Sequence, residues 1–524
     1  MHQLDTFKTR PHFKTLQAEI EEVVKRALEG YSPNRFARHK IIRDAVFDFS
    51  SYHRHEIDII DSPIIQRLRG IFQTSLALFV YPCSNHSRFE HSLSCVGLAE
   101  RVASVIHSRN AELMPEHSVL ELRLAALLHD CGHGPFSHAS EEIYGAFDIF
   151  NKLREENADL LQNPRNGAGE ILSFLIVMSP SFTQLWEHIK GLYKSEPAYH
   201  SVLEKIDLER VALMILGRVS QFYGLGDQFF DQIINGPYDV DKLDYIHRDG
   251  YFTGLGTSID VPRLLQTLHV YHSKDTGMQS LAVDITGVTS LEQLLFSKML
   301  LFSVVYHHHK VRASFLAMKA LFEQMDVNGW TINERYFRKP VDFLEIDDYD
   351  VLNNLHPIPE LRAATRRLKN RVLPRGALLL AFHTVEDPES WQTLMSIAGS
   401  KAEQNQIRLD IANAIGSPHY EVHVDIPRPP SFKKISDQGL VRISSRSTVS
   451  LEDVYPTSGW VEAYSENRYK AYVFAPREKA ESAARAALDI LRGKGVRVKR
   501  EALDLVKHED TVVEDLVKNH KCAA

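Results

Sequence analysis

The 524-residue sequence has four cysteines, Cys83, Cys95, Cys131 and Cys522, and no CxxC pair among them. That excludes a disulfide framework and fits a reducing compartment. It lacks an uninterrupted apolar run near the roughly 20 residues that span a bilayer. Its opening stretch, MHQLDTFKTRPHFK, carries charges and no apolar segment of the secretory kind. It also lacks a basic excess. A formal charge of −7 argues against a coating of positive charge for duplex nucleic acid, while leaving room for a local basic pocket that holds phosphates. Repeats and low-complexity segments are missing too. These absences predict a soluble, cytoplasmic protein with no membrane partner.

What is present is apolar mass and histidine. At 44% hydrophobic the chain can bury one large core and a smaller second domain. The 26 histidines matter only where they cluster with carboxylates at useful spacing.

Apolar residues recur at helical spacing through FKTLQAEIEEVVKRAL (Phe13 to Leu28), an amphipathic leader. KIIRDAVFDF (Lys40 to Phe49) is rich in β-branched and aromatic residues and predicts a short strand. From Ser62-Pro63 to about Gln324 the pattern is helical, broken by the hairpin-like MQSLAVDITG. A further helical stretch contains PELRAATRRLKNRVL. Strand-like runs then appear in YEVHVDIP, GLVRISSR, GWVEAYSENRYKAYVFAP and VRVKREAL, around the helix EKAESAARAALDILRGKG, with a polar tail. The expected fold is mostly α: a leader (1–39), a helical core (40–330), a helical extension (331–419) and a C-terminal α+β subdomain (420–524).

The chemistry concentrates in SRFEHSL, LRLAALLHDCGHGPFSH and DVDKLDYIHRD. His129 and Asp130 close an apolar helix, and Cys131-Gly132 turns the chain. An imidazole beside a carboxylate can reach one cation; the plainer role is capping of helix carbonyls. With His91 and Asp241 added, two imidazoles and two carboxylates form a set suited to a divalent first-row metal, with positions left open for water.

The ordered pattern H…HD…D in these segments resembles the HD-domain phosphohydrolases. Within them it is most similar to the deoxynucleoside triphosphate triphosphohydrolases related to the SAM-and-HD-domain protein and its bacterial homologues. The likeness continues through KIIRDAV, DSPIIQRLRGIFQ, YPCSNHSRFEHSL and VVYHHHKVRA, and more faintly through DFLEIDDYD, VDIPRPP and GWVEAY. It implies a helical HD core whose metal ligands are His91, His129, Asp130 and Asp241, with Fe, Mn, Mg, Zn or Ni all compatible. It implies catalytic roles for His133 and His138 beside Arg88 and Asp130, with Glu141 orienting an imidazole. It assigns Arg88 and Lys242 to phosphate, Tyr245 to sugar-ring stacking and Asp249 to the 3′-hydroxyl. Gln73 falls near the sugar and His308, within His307–His309, near the triphosphate. Packed or capping histidines, and a surface pair at Lys242 and Asp249, are the plainer readings.

Asp61, Gln66 and Arg69 match positions that bind an activating guanine nucleotide in regulated members; Arg69 as a packing or salt-bridge residue is the alternative. With about 40 residues ahead of the core, no SAM domain is expected. Two departures stand out. Asn166 and Gly167 stand where the family usually has a His-Glu pair, and Met299 stands where some members have a phosphate-binding arginine. The expected activity is metal-dependent hydrolysis of a dNTP to deoxynucleoside and triphosphate, in a homo-oligomer. The alternatives are another nucleotidase, a nuclease acting on single-stranded nucleic acid, and a nucleotide-binding sensor with little turnover.

Overall fold

Helices begin and end where the capping residues put them. A computed structural model describes residues 2–34, 38–161, 166–353, 355–429, 432, 435, 438–444 and 447–503; Cys522 and the rest of the tail lie outside them. The fold is mostly α, as expected. The leader is helical over Pro11–Leu28, started by its proline and burying Phe13, Leu16, Ile20, Val23 and Val24 along one face. The single strand expected from Lys40 is instead a hairpin, Lys40–Asp44 paired antiparallel with Asp48–Tyr52. The Asp44 carboxylate closes the turn by accepting from Val46 N and Phe47 N, which is why the β-rich run breaks in its middle.

The backbone divides into two compact units, each assembled from separated stretches. The first comprises Met1–Leu301, Ile332–Val351 and Phe432–Pro456. Its centre is the Glu116–Leu128 helix, packed by Arg88–Arg109 and Leu208–Leu216. Leu122, Leu124, Leu127 and Leu128 are fully buried, each stabilising the fold by about 1.5–3 kcal/mol. The hairpin-like insert is the antiparallel pair Leu268–His272 and Gln279–Asp284. Gln279–Asp284 is buried through its middle and needs a neighbour on its other edge. Leu440–Ser444 supplies it in parallel, and Ser447–Ser450 follows antiparallel. That pairing draws residues from the expected C-terminal subdomain into the first unit.

The second unit comprises Phe302–Thr331, Leu352–Ser431 and Thr457–Ala524. Its antiparallel sheet runs Arg375–Leu380, Ala471–Ala475, His423–Asp425, with the central strand fully buried. The helices Pro388–Gly399, Lys401–Ala414 and Ala480–Gly493 close a core around Leu380, Leu394, Ile411, Val473 and Leu491.

Two expectations of strands are corrected. GWVEAYSENR is not a strand but part of the Ser458–Arg468 helix, which buries Val461 and partly buries Trp460 and Tyr464. VRVKREAL forms no strand; Val498 makes an isolated bridge to Val385. Ile285–Tyr306 is helical over 22 residues and passes for a membrane-crossing helix by length and composition, without being an uninterrupted apolar run. Glu292 and Lys298 interrupt it and half of it is buried, as in a core helix.

Candidate metal centre and active site

Three local rules bring the predicted ligands to one point. In Ser87-Arg88-Phe89-Glu90 the serine hydroxyl accepts from Phe89 N while Glu90 accepts from Ser87 N, a capping box that starts the Arg88–Arg109 helix. Arg88 and His91 therefore share its first turn. His129 ends the Glu116–Leu128 helix. Asp239 caps the Val240–Thr253 helix, accepting from Lys242 N at 2.8 Å, which sets Asp241 in that first turn.

His91 Nε2 lies 3.3 Å from His129 Nε2, 3.2 Å from Asp241 Oδ1 and 3.5 Å from Asp130 Oδ2. His129 Nε2 lies 3.5 Å from Asp130 Oδ1 and 4.0 Å from Asp241 Oδ1. These separations match donors arranged at about 2.0–2.2 Å around one cation. The far side of each imidazole is occupied, so Nε2 is the free end. His91 Nδ1 sits 2.6 Å from Asp244, which is held by Arg248, which in turn reaches Asp44. His129 Nδ1 bonds the Ala126 carbonyl at 2.8 Å. Such outer partners fix the tautomer and orientation of a ligating ring.

Burial alone would raise the Asp130 carboxyl, but Arg88 and the surrounding imidazoles hold it well below the usual carboxylate range. Burial would lower His91; the Asp241 and Asp244 carboxylates bonded to it outweigh that and lift its pKa well above the ordinary value. Cys95 Sγ also approaches His91, at 3.7 Å from Nε2, yet burial pushes its thiol up to about 12, so it stays a neutral packing group.

The loop after Asp130 forms the neighbouring wall. Its glycines are there for space rather than for backbone freedom: a Cβ on Gly132 would overlap the backbone of the Ala168–Val177 helix, and one on Gly134 would come within 3.0 Å of Phe343. The left-handed residues are instead Phe136 (φ 56°) and Ser137 (φ 53°), each costing about 1–3 kcal/mol. Tertiary bonds hold them. Ser137 Oγ donates to Phe72 O and accepts from Arg88 Nε, and Arg67 donates to the carbonyls of Cys131 and His133.

His133 is buried with Nδ1 3.3 Å from Asp130, and burial together with Arg88 pushes its pKa down to about 3. His138 is three-quarters exposed at the lip, its Nδ1 2.7 Å from Glu141. Crowding lowers its pKa, but the Glu141 carboxylate outweighs that and raises it. Glu141 also accepts from Gly169 N, and a Cβ on Gly167 would overlap its carboxylate. Gly167 thus leaves the space that Glu141 fills.

Arg88 bonds Asp130 through Nη1, and its buried Nη2 has no partner among the described residues. Gln73 likewise holds a buried, unpartnered Oε1. Lys242 is paired with Asp239, and Tyr245 is half-buried on the same helix. Asp249 is buried, 2.8 Å from His86 Nε2, whose ring stacks on Phe252. His308 lies in the second unit, where its Nδ1 caps the His309–Asn328 helix by accepting from Lys310 N. Asp61 is exposed beside Lys40; Gln66 bonds Ile60 O and Arg69; the Arg69 guanidinium lies 3.6 Å above the Phe89 ring. Asn166 is buried and donates to Glu170 and Leu216 O, and Met299 is buried in the core.

Sequence reasoning missed Asp244, Arg248, His86, Ser137 and Arg67. Only the first two left a signal, the i,i+4 Asp-Arg pair inside DKLDYIHRD.

A model of the HD domain matches residues 88–175, and one of the HD-associated region matches residues 259–501. The chain is an HD-domain protein. The HD-domain match takes in His91, His129 and Asp130, and His91, Cys95 and His129 stand close enough together to hold one metal ion. An uncharacterized protein of Methanocaldococcus jannaschii is 25% identical over 90% of this chain and 88% of its own length. The deoxynucleoside triphosphate triphosphohydrolase SAMHD1 homolog of Dictyostelium discoideum is 27% identical over 63% of this chain, and SAMHD1 of Bos taurus 30% identical over 44%. The HD-domain protein spans only 58% and 38% of those two relatives. A hypothetical protein from Aquifex aeolicus shares its fold, with a TM-score of 0.55 at 23% identity over 86% of this chain and 100% of the other.

Proposed function

We propose that this protein hydrolyses deoxynucleoside triphosphates to deoxynucleoside and triphosphate, using a divalent cation held by His91, His129, Asp130 and Asp241. The observation that carries the reading is a convergent four-donor set with the unpartnered Arg88 Nη2 directly beside it. A buried guanidinium donor with no protein acceptor suits a phosphoryl oxygen. The names of the SAMHD1 relatives, matched over part of their length, support the substrate class.

When bound, the cation supplies Lewis-acid polarisation of a phosphoryl oxygen and lowers the pKa of water. The protein's own residues do the rest. Arg88 neutralises charge developing on the α-phosphoryl group as water adds and the bond to the 5′-oxygen breaks. His138, kept protonated to higher pH by Glu141, donates the proton that the 5′-oxygen needs to leave as a hydroxyl. His133 stays neutral and offers hydrogen bonds without a second positive charge. Gln73 and Asp249 meet the sugar, Tyr245 stacks on it and Lys242 faces the phosphates. His138 thus takes the proton transfer that the family's histidine at the Asn166 position would otherwise share.

The test is cation analysis and product chromatography with each of the four dNTPs, with and without GTP, using Asp130→Ala as the control. Deoxynucleoside plus triphosphate, lost in the variant, supports the reading. Nucleoside monophosphate, oligonucleotide degradation, or tight binding without turnover sinks it in favour of a nucleotidase, a nuclease or a sensor. Stimulation by GTP would extend the proposal to an activating site at Asp61, Gln66 and Arg69.

A further inference from the structure

One carboxylate in the first unit does work that the ligand set and the imidazoles do not explain. Asp348 is completely buried, and no lysine, arginine or histidine pairs with it among the described residues. A buried carboxylate without a cation is costly unless its oxygens are hydrogen-bonded. Its two oxygens are committed to two backbone amides far apart in sequence: Oδ2 accepts from Phe72 N at 2.8 Å and Oδ1 from Phe136 N at 2.5 Å. Phe72 immediately precedes Gln73. Phe136 is the first of the two left-handed residues that lead into His138.

The segment carrying Asp348 is fastened on both sides of that contact. Phe343 packs on Tyr144, with ring centroids 5.4 Å apart, and lies against Gly134. Glu345 pairs with Arg26 at 3.0 Å and with Arg335, and Lys339 pairs with Glu19 at 2.8 Å. The segment is thus a strap laid over the two loops. Amides in irregular loops have no regular partner and need one from elsewhere. Here one side chain serves both loops, so neither can shift without the other. The Ser137 Oγ bond to Phe72 O ties the same two loops a second time.

We infer that Asp348 is a positioning residue, coupling the loop that bears Gln73 to the loop that bears His133 and His138, so that the sugar side and the proton-transfer side of the site are set together. This rests on the hydrolytic reading above, and the experiment separates the two. Asp348→Asn keeps the shape but turns an amide NH₂ toward one of the two N–H groups, so one tie is lost. Glu345→Gln is the comparator, loosening the strap without touching either amide.

In hydrogen exchange without substrate, peptides covering residues 70–74 and 133–138 are expected to exchange faster in Asp348→Asn and not in Glu345→Gln. Unchanged exchange at either loop, or equal change in both variants, overturns the inference. In turnover assays Asp348→Asn is expected to lose about 100-fold in kcat, the scale of a small misplacement of reacting groups, with bound cation unchanged. A loss matching Glu345→Gln at equal thermal stability overturns it as well. If the wild type hydrolyses no nucleotide while both loops still respond, the tie stands and the proposed chemistry falls. If Asp348→Asn does not fold, wild-type exchange decides: the Phe72 and Phe136 amides must open together, and independent opening overturns the coupling.

Discussion

The four-donor cluster and the imidazole loop are neighbours built on opposite principles. The donors sit at helix ends, on regular backbone, and three of them are held from behind: His91 by Asp244, His129 by the Ala126 carbonyl, Asp130 by Arg88. The loop sits on two left-handed residues, presents one exposed imidazole and one buried one, and is held by contacts from Arg67, Ser137 and Asp348. A cation needs the same few donors in every state, so its site tolerates being fixed by local rules. A wall that must meet a nucleotide and pass a proton is set instead by long-range ties, at the expense of local strain.

If that division holds, the two regions fail differently. The largest loss is expected for Asp130→Ala, which removes a donor and leaves Arg88 without its carboxylate. Cation stoichiometry should collapse and turnover fall by at least about 10³-fold, in line with the loss of an essential charged group. Retained cation with retained activity would mean that the cluster is an ordinary buried charge network. His138→Asn comes next, with an expected fall in kcat of about 10²–10⁴-fold, the range of a proton-transfer group, and with cation content unchanged. Loss of cation in this variant would erase the boundary between the regions.

Asp244→Asn probes the support behind the cluster. Weakening an outer partner of a ligating histidine typically costs about 10–100-fold in affinity, to be read by cation titration. The same titration has a pH direction. The carboxylates hold the His91 pKa above its ordinary value, and a cation must displace that proton. Apparent affinity should therefore rise with pH, and an affinity independent of pH would argue that His91 is not a donor.

The same contrast decides what was legible in the sequence. His91, His129 and Asp241 fall at helix ends marked by Ser87-x-x-Glu90, by the close of an apolar run and by Asp239, so local patterns placed them. The Asp244–Arg248 pair lay in plain sight at helical spacing, but nothing local said that it faced His91. Ser137, Arg67 and Asp348 carry no local mark, because the partners that tie them to the loops lie at least 49 positions away in sequence. The space left by Gly167 for Glu141 is likewise visible only in three dimensions. The misread strands failed for a related reason. In GWVEAYSENR short apolar spacings fit both periods, and tertiary packing chose the helix.

A smaller effect separates orientation from charge on the loop. Glu141 raises the pKa of His138, and a proton donor is active below its pKa. Activity is therefore lost as pH rises through it. In Glu141→Gln the carboxylate is gone, the His138 pKa drops, and the alkaline limb of kcat/KM should move to lower pH while the acid limb stays. A limb that does not move would assign the proton transfer to another group.

The smallest expected effect falls on His308, the one predicted substrate residue that the structure places in the second unit. Its Nδ1 accepts from Lys310 N and caps a 20-residue helix. Removing a side-chain cap typically costs about 1 kcal/mol. His308→Ala should lower the unfolding midpoint by a few degrees at most and leave kcat and KM for the nucleotide unchanged. His308→Asn, which keeps a capping acceptor, should restore most of that stability. A rise in KM that His308→Asn does not rescue would show that the imidazole touches substrate after all.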